Sequence, residues 1–209
     1  KDKLEGGFSC IKLKIGALDF ETELALLKSI RNEYDMQTIE IRIDANGAFK
    51  PNEALEKLKQ LSEYNLHSIE QPIKQGQIDD MAQLCLDTPI PIALDEELIG
   101  IFSVTNKQFL LQTIKPQYII LKPTLVGGFK GSQQWIDVAE FNKISWWVTS
   151  ALESNIGLNA IAQWTYTLKS QLPQGLGTGG LFTNNIQAPL TVAFGQLFYD
   201  LKTKWNLKF

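Results

Sequence analysis

Short apolar runs rich in β-branched residues alternate along the chain with amphipathic stretches, and no long linker or low-complexity segment interrupts the rhythm. That order predicts βα units. Strand-like runs fall at 10–15, 39–44, 68–70, 91–95, 118–122 and 145–149, with a shorter seventh near Gly175. Between them, 19–32 reads as a helix: Asp19 is placed to cap it, Glu21 and Glu23 occupy its first turn, and Leu24, Leu27 and Ile30 recur at helical spacing. A second helix is expected over 51–64, opened by Pro51, striped by Leu55, Leu58 and Leu61, and supported by Glu53 one turn before Lys57. Stretches 130–143 and 157–168 repeat the theme, while 99–117 gives no clear helix boundary.

Parallel strands covered by helices can form an open sheet or a closed barrel. Side-chain parity favours the barrel. In the first run, Ile11, Leu13 and Ile15 share one face and Lys12 and Lys14 the other; in the second, Ile41 and Ile43 oppose Arg42 and Asp44. A sheet packed by helices on both faces has no place for such charges, whereas a barrel directs them into its lumen and its C-terminal mouth.

Composition narrows the function. With 209 residues, 44% of them hydrophobic and 21% charged, the chain can bury one sizeable core. A formal charge of -3 without a basic stripe argues against nucleic acid and anionic membranes as partners. No apolar run approaches the roughly 20 residues that span a bilayer. Cys10 and Cys85 are too few for a disulfide framework or a thiolate metal site, so a reduced, cytoplasmic setting and a small-molecule substrate are the expectations.

Asp44, Glu70 and Asp95 each end a strand-like run and Lys122 ends the next, at spacings of 26, 25 and 27 residues, about one βα unit each. The three acids are therefore expected on adjacent strands at one height around the mouth. Carboxylates crowded in this way either raise a pKa or bind a cation, and an all-oxygen set without Cys or His selects Mg²⁺ or Mn²⁺ over zinc. Lys12 and Lys14 precede the trio by one unit and Lys122 follows it, so amines should flank the cation from two sides. A lysine beside a second ammonium and a divalent cation can serve as a base. Proton abstraction beside a carboxylate is the reaction class this favours.

The blocks Ile11-Lys12-Leu13-Lys14, Arg42-Ile43-Asp44-Ala45-Asn46-Gly47, Ile69-Glu70-Gln71-Pro72, Ala93-Leu94-Asp95-Glu96 and Leu121-Lys122-Pro123 together resemble the muconate-lactonising branch of the enolase superfamily. The likeness continues through residues 149–154 and 175–179. It implies a (β/α)7β TIM-like barrel, with 1–186 forming its catalytic part and 187–209 a C-terminal extension directed toward a capping domain. It further implies that Asp44, Glu70 and Asp95 hold Mg²⁺, with Mn²⁺ an alternative. Lys14 would remove the proton and Lys122 would face it across the substrate. Lys12 would support the substrate carboxylate and make Lys14 a better base, while Asn46 and Glu96 would stand behind the ligands. The implied reaction is dehydration of 2-succinyl-6-hydroxy-2,4-cyclohexadiene-1-carboxylate to 2-succinylbenzoate, in menaquinone biosynthesis. Racemisation of N-succinylamino acids, dipeptide epimerisation and a non-catalytic metal-binding barrel fragment are the competing readings.

Residues 170–199 contain no charge, and the 175–185 loop offers backbone amides with Thr178, Thr183, Asn184 and Asn185. Gly175, Leu176 and Ser150 are therefore expected to hold a succinyl carboxylate, along with Asn46. Dipeptide epimerases of this branch place two aspartates here, and this chain has none. His67 reads as a loop residue without a catalytic partner. Trp146 and Trp147 read as strand packing, with one ring forced inward by alternation. Against the family pattern, the sequence starts just before the second barrel strand, so a capping segment and first strand would have to be supplied separately. The 209 residues alone are expected to be a weak or inactive catalyst, because water would reach the site.

Overall fold

The protein is described by a computed structural model covering residues 2–177, 179 and 182–206. After a short helix α1 (Asp2–Glu5), six strands form a parallel sheet: β1 (Cys10–Lys14), β2 (Glu40–Asp44), β3 (Ser68–Glu70), β4 (Ile92–Leu94), β5 (Tyr118–Leu121) and β6 (Ser145–Val148). Each strand pairs with the next in sequence, giving a half-barrel in the order β1-β2-β3-β4-β5-β6. Helices α2 (Phe20–Glu33), α3 (Pro51–Leu61), α4 (Ile78–Asp87), α5 (Val104–Ile114), α6 (Gly128–Phe141) and α7 (Asn155–Thr167) fall between and after them. The unclear stretch 99–117 therefore holds α5, capped by the Ser103 side chain.

Local signals explain the helix starts. Asp19 accepts from the Thr22 backbone N–H at the head of α2. Glu23, read above only as a first-turn acid, is buried and turns back to accept from the amides of Gly16, Ala17 and Leu18. It thereby closes the loop that follows β1.

Alternation divides the sheet into two faces. Ile41, Ile43, Ile69, Ile92, Leu94, Ile119, Leu121 and Val148 are buried in the main core together with Leu27, Leu58, Met81, Leu111, Trp135 and Leu158 from the helices. Residues of opposite parity make the inner face. There Ala93, Ile120 and Trp147 form a small separate cluster flanked by Tyr118 and Leu172. Of the two tryptophans, Trp147 is the inward one, and the Arg42 guanidinium lies 4.1 Å from its ring centroid. Arg42 also donates to Glu40 Oε1 at 2.7 Å and to the Pro173 carbonyl at 3.0 Å. The His67 ring stands 4.9 Å from Tyr118, at the foot of the same face.

Two expectations need correction. The seventh strand near Gly175 is reduced to a single parallel bridge between Thr149 and Gly175, because the chain turns away after one pairing. Residues beyond 187, given no strands above, form an antiparallel hairpin of β7 (Leu190–Ala193) and β8 (Gln196–Tyr199). Its tip closes on the segment before β1 so tightly that a Cβ on Gly195 would lie 2.2 Å from the Gly7 carbonyl oxygen.

Leu58→Ala is expected to lower unfolding free energy by about 2–5 kcal/mol with an unchanged urea m-value, while exposed Leu86→Ala should stay within about 0.5 kcal/mol. Burial disfavours the His67 imidazolium and outweighs the nearby Glu40 carboxylate, with Arg42 adding to the lowering. The unfolded chain then binds the extra proton first, so the His67 contribution to stability should be present above pH 6.5 and fade as pH falls below it. The difference in stability between wild type and His67→Gln, measured from pH 5 to 8, should carry that slope; a flat difference would contradict it.

Candidate functional site

Sheet register delivers the predicted residues to one end of the inner face. Lys14 pairs with Asp44, and Asp44 with Glu70, directly across the ladder. Glu70 is paired with Ala93, which places Asp95 two residues further along β4's path. Ala93 in turn pairs with Tyr118, so Lys122 is another two beyond Asp95. Direct pairing thus relates Lys14, Asp44 and Glu70, and stagger relates Asp95 and Lys122 to them. An advance averaging one residue per strand is what a barrel of shear 8 uses to keep a ring of residues level as its strands tilt.

The side chains form two bonded groups side by side. Lys14 Nζ donates to Asp44 Oδ2 at 2.6 Å, and Lys12 Nζ bridges Asp44 Oδ2 at 3.0 Å and Glu70 Oε2 at 2.8 Å. Asp95 is near enough for its charge to act on the Glu70 carboxyl. Asp95 accepts from Lys122 at the far end. Behind the row, Lys14 also donates to Asn46 Oδ1, whose amide donates to Glu96 Oε1 at 2.9 Å. Asn46 is held in the left-handed region by the turn that follows β2, and its backbone N–H returns to Asp44 Oδ1 at 3.0 Å.

Electrostatics follow from this packing. Burial, reinforced by Asp44 and Asp95 and opposed by Lys12, pushes the Glu70 carboxyl up to about 8. Burial works against ionised Asp44 too, but the ammonium groups of Lys12 and Lys14 outweigh it and hold that carboxyl below its ordinary value. Lys12 is likewise opposed by burial and overruled by Glu70 and Asp44, so its ammonium form is favoured.

Among the described residues, no three acidic, His or Cys side chains already enclose a point that would hold an ion. Lysine ammonium groups lie against the carboxylates instead. The donor set nevertheless fits a hard divalent cation: it is all oxygen, it draws positive charge inward, and Glu70 Oε1 is buried without a hydrogen-bond partner.

The expected carboxylate-binding loop is arranged differently. Gly175 spends its N–H on the Val148 carbonyl at 2.8 Å, while its own carbonyl accepts from Ser150 N at 3.1 Å, so it is not a free donor. A Cβ there would meet Thr149 Oγ1 at 2.3 Å, which explains the glycine. Leu176 is buried in the main core. Ser150 Oγ donates to Glu153 Oε2 and accepts from Leu152 N, which makes it part of its own turn. Asn185 braces the loop through the carbonyls of Gly179 and Phe182. Thr178 lies outside the described residues.

Sequence reasoning missed two polar anchors. Glu153 accepts from Ser150, Ala151 N and Thr124, tying the turn after β6 to the one after β5 that carries Lys122. Gln71 and Glu97 form a buried pair between the carboxylate loops. Neither residue type signals such a role until the loops are folded together.

A profile of the enolase C-terminal domain-like family matches residues 1–196. The chain belongs to that family. Among enolase-superfamily enzymes, it is 55% identical over 195 residues to o-succinylbenzoate synthase of Desulfotalea psychrophila (strain LSv54 / DSM 12343), an alignment covering 93% of this chain and 53% of that protein. The crystal structure of MenC from Desulfotalea psychrophila LSv54 superposes with a TM-score of 0.89 at 54% identity, covering 94% of this chain and 54% of the other. L-Ala-D/L-Glu epimerase of Bacillus subtilis (strain 168) is 27% identical over 161 residues, or 76% of this chain and 43% of that enzyme. Muconate lactonizing enzyme from Pseudomonas putida superposes with a TM-score of 0.85 at 25% identity, covering 98% of this chain and 57% of that one. The chain thus spans about half the length of these relatives. Among its described residues, no helix is long and apolar enough to cross a membrane.

Lys12 contacts two buried carboxyl groups and Lys14 only one. In metal-free protein, Lys12→Met is therefore expected to reduce stability by about 3 kcal/mol, and Lys14→Met by less. Adding Glu70→Gln to Lys12→Met should recover part of the loss in urea denaturation; a purely additive pair would refute the charge argument.

Proposed function

We propose that this chain is the catalytic barrel portion of an o-succinylbenzoate synthase, a lyase that dehydrates 2-succinyl-6-hydroxy-2,4-cyclohexadiene-1-carboxylate to 2-succinylbenzoate in menaquinone biosynthesis. The observation that carries the reading is the alternation of amines and buried acids at one end of the inner face: Lys14, Asp44, Lys12 and Glu70 bonded in series, with Lys122 on Asp95 beside them. The 55% identity to the Desulfotalea enzyme supports the choice of reaction. Residues 187–209 would lie toward a capping domain.

Asp44, Glu70 and Asp95 would hold Mg²⁺, or Mn²⁺ in its place. When bound, the cation would draw negative charge away from the substrate carboxylate as the adjacent carbon loses its proton. Lys14 takes that proton. The electron pair left on carbon forms the new ring double bond as the neighbouring C–O bond breaks. The resulting Lys14 ammonium, on the same face, returns the proton to the departing hydroxyl, so the step releases one water and leaves the enzyme unchanged. Lys122 stands at the opposite end of the row and stabilises charge on the carboxylate oxygens without accepting a proton. Lys12 keeps its positive charge and orients the carboxylate, while Asn46, linked to Glu96, steadies Lys14. Aromatisation makes the elimination favourable, so the enzyme has chiefly to ease the first proton transfer.

Two measurements test the proposal. Mn²⁺ titration of this chain, followed by electron paramagnetic resonance, should reveal one site that Asp44→Asn and Asp95→Asn each weaken by about tenfold or more. The Desulfotalea enzyme carrying this chain in place of its matching segment should dehydrate the substrate. Lys14→Ala and Lys122→Ala should each lower its kcat/KM by about a thousandfold. Racemisation of N-succinylamino acids without dehydration would replace the proposed reaction, and activity surviving chelation would remove the metal from it.

A further inference from the structure

Gln71 follows Glu70, precedes Pro72, and is 0% exposed. Every one of its polar groups is used, and the partners come from three different loops. Its backbone carbonyl accepts from Gly47 N at 2.7 Å in the turn after β2, and its N–H donates to the Ala93 carbonyl on β4. Its side-chain Oε1 accepts from the amides of Asp95 at 3.2 Å and Glu97 at 3.3 Å, just after β4. Its Nε2 donates to the Ile73 carbonyl at 3.0 Å in its own loop and to Glu97 Oε2 at 3.1 Å. Glu97, also buried, extends the link by accepting from Gly76 N at 2.8 Å. The turn after β2 is pressed so close that a Cβ on Gly47 would lie 2.8 Å from Lys74 Cα.

The consequence is geometric. The three loops joined through Gln71 are those that begin at Asp44, Glu70 and Asp95. Strands β3 and β4 have only three residues each and share two register pairs, so the ladder alone gives limited control over Asp95, which lies beyond its end. Gln71 Oε1 holds the Asp95 backbone directly. The residue is also held at φ +40°, a conformation costing of order 1 kcal/mol for a non-glycine residue, and one that the surrounding bonds over-determine. A primary amide is needed because the position requires an acceptor for two N–H groups and a donor for two oxygens. Glutamate supplies no donor and would bring a second carboxylate against Glu97, and asparagine is one methylene shorter.

We infer that Gln71 is a positioning residue that sets the spacing of Asp44, Glu70 and Asp95 for the divalent cation, with Glu97 as its partner. This rests on the metal-binding reading of the site given above. The test uses this chain, with Mn²⁺ as probe and amide hydrogen exchange as a readout independent of metal. Gln71→Leu should weaken Mn²⁺ binding by about 10- to 100-fold at a temperature where circular dichroism shows it folded. It should also remove exchange protection from the Asp95 and Glu97 amides in metal-free protein.

Should Gln71→Leu fail to fold, Glu97→Gln decides. It keeps an acceptor for Gly76 but turns an N–H₂ toward the Gln71 N–H₂, and should weaken Mn²⁺ binding in the same direction. A folded variant with wild-type Mn²⁺ affinity overturns the inference while leaving the metal site intact. A wild-type chain that binds no Mn²⁺ overturns the reading of the site and this inference with it.

Discussion

Crowding of negative charge on the inner face of a half-barrel is the constraint from which the rest of the site follows. Asp44, Glu70 and Asp95 are buried, and the lift of the Glu70 carboxyl to about 8 records how poorly that environment tolerates another charge. Such a row persists only where cations meet it. In this protein Lys12, Lys14 and Lys122 do so from its two ends and its middle. A sheet selected for stability alone would carry apolar residues at these positions. The opposite face does carry them, and the core between sheet and helices offsets the charges that the inner face must hold.

That division was legible because it depends on parity. Ile41 and Ile43 against Arg42 and Asp44 needed only the two-residue repeat of a strand, and the acids were placed by the length of a βα unit. The level ring was harder to read. Spacings of 26, 25 and 27 residues suggest equal heights, yet direct ladder partners of Glu70 and Ala93 are Ala93 and Tyr118, not Asp95 and Lys122. Strand tilt supplies the missing stagger, and tilt is a property of the curved sheet rather than of any one segment.

What the sequence hid is equally specific. Glu23 reads as an ordinary first-turn acid, but it folds back onto the backbone amides of the preceding loop, and Glu153 turns onto the Ala151 amide and the Thr124 hydroxyl. Gly175 looked like an available donor because a glycine-rich neutral loop commonly offers its amides. Its N–H is instead consumed by the one bridge that remains of the seventh strand. The hairpin of β7 and β8 was missed because its polar and apolar residues show no clean alternation. In each case the deciding partner is distant in the chain or is a backbone group, and neither leaves a pattern in residue type.

The three lysines differ in a way that bears on their proposed roles. The Lys14 side chain is 61% exposed and touches one carboxylate and one amide, whereas Lys122 is only 17% exposed and held against Asp95. An acid/base group must approach the substrate carbon, exchange its proton and return, which asks for a side chain with room to move. An electrostatic partner works best when it is already fixed where charge will develop, since no reorganisation is then needed during the reaction. Lys12, bridging two carboxylates with its ammonium form favoured, is poorly suited to taking a proton and well suited to keeping the row neutral. Under the proposed reaction the same chemical group would serve three tasks, separated by its depth and its partners.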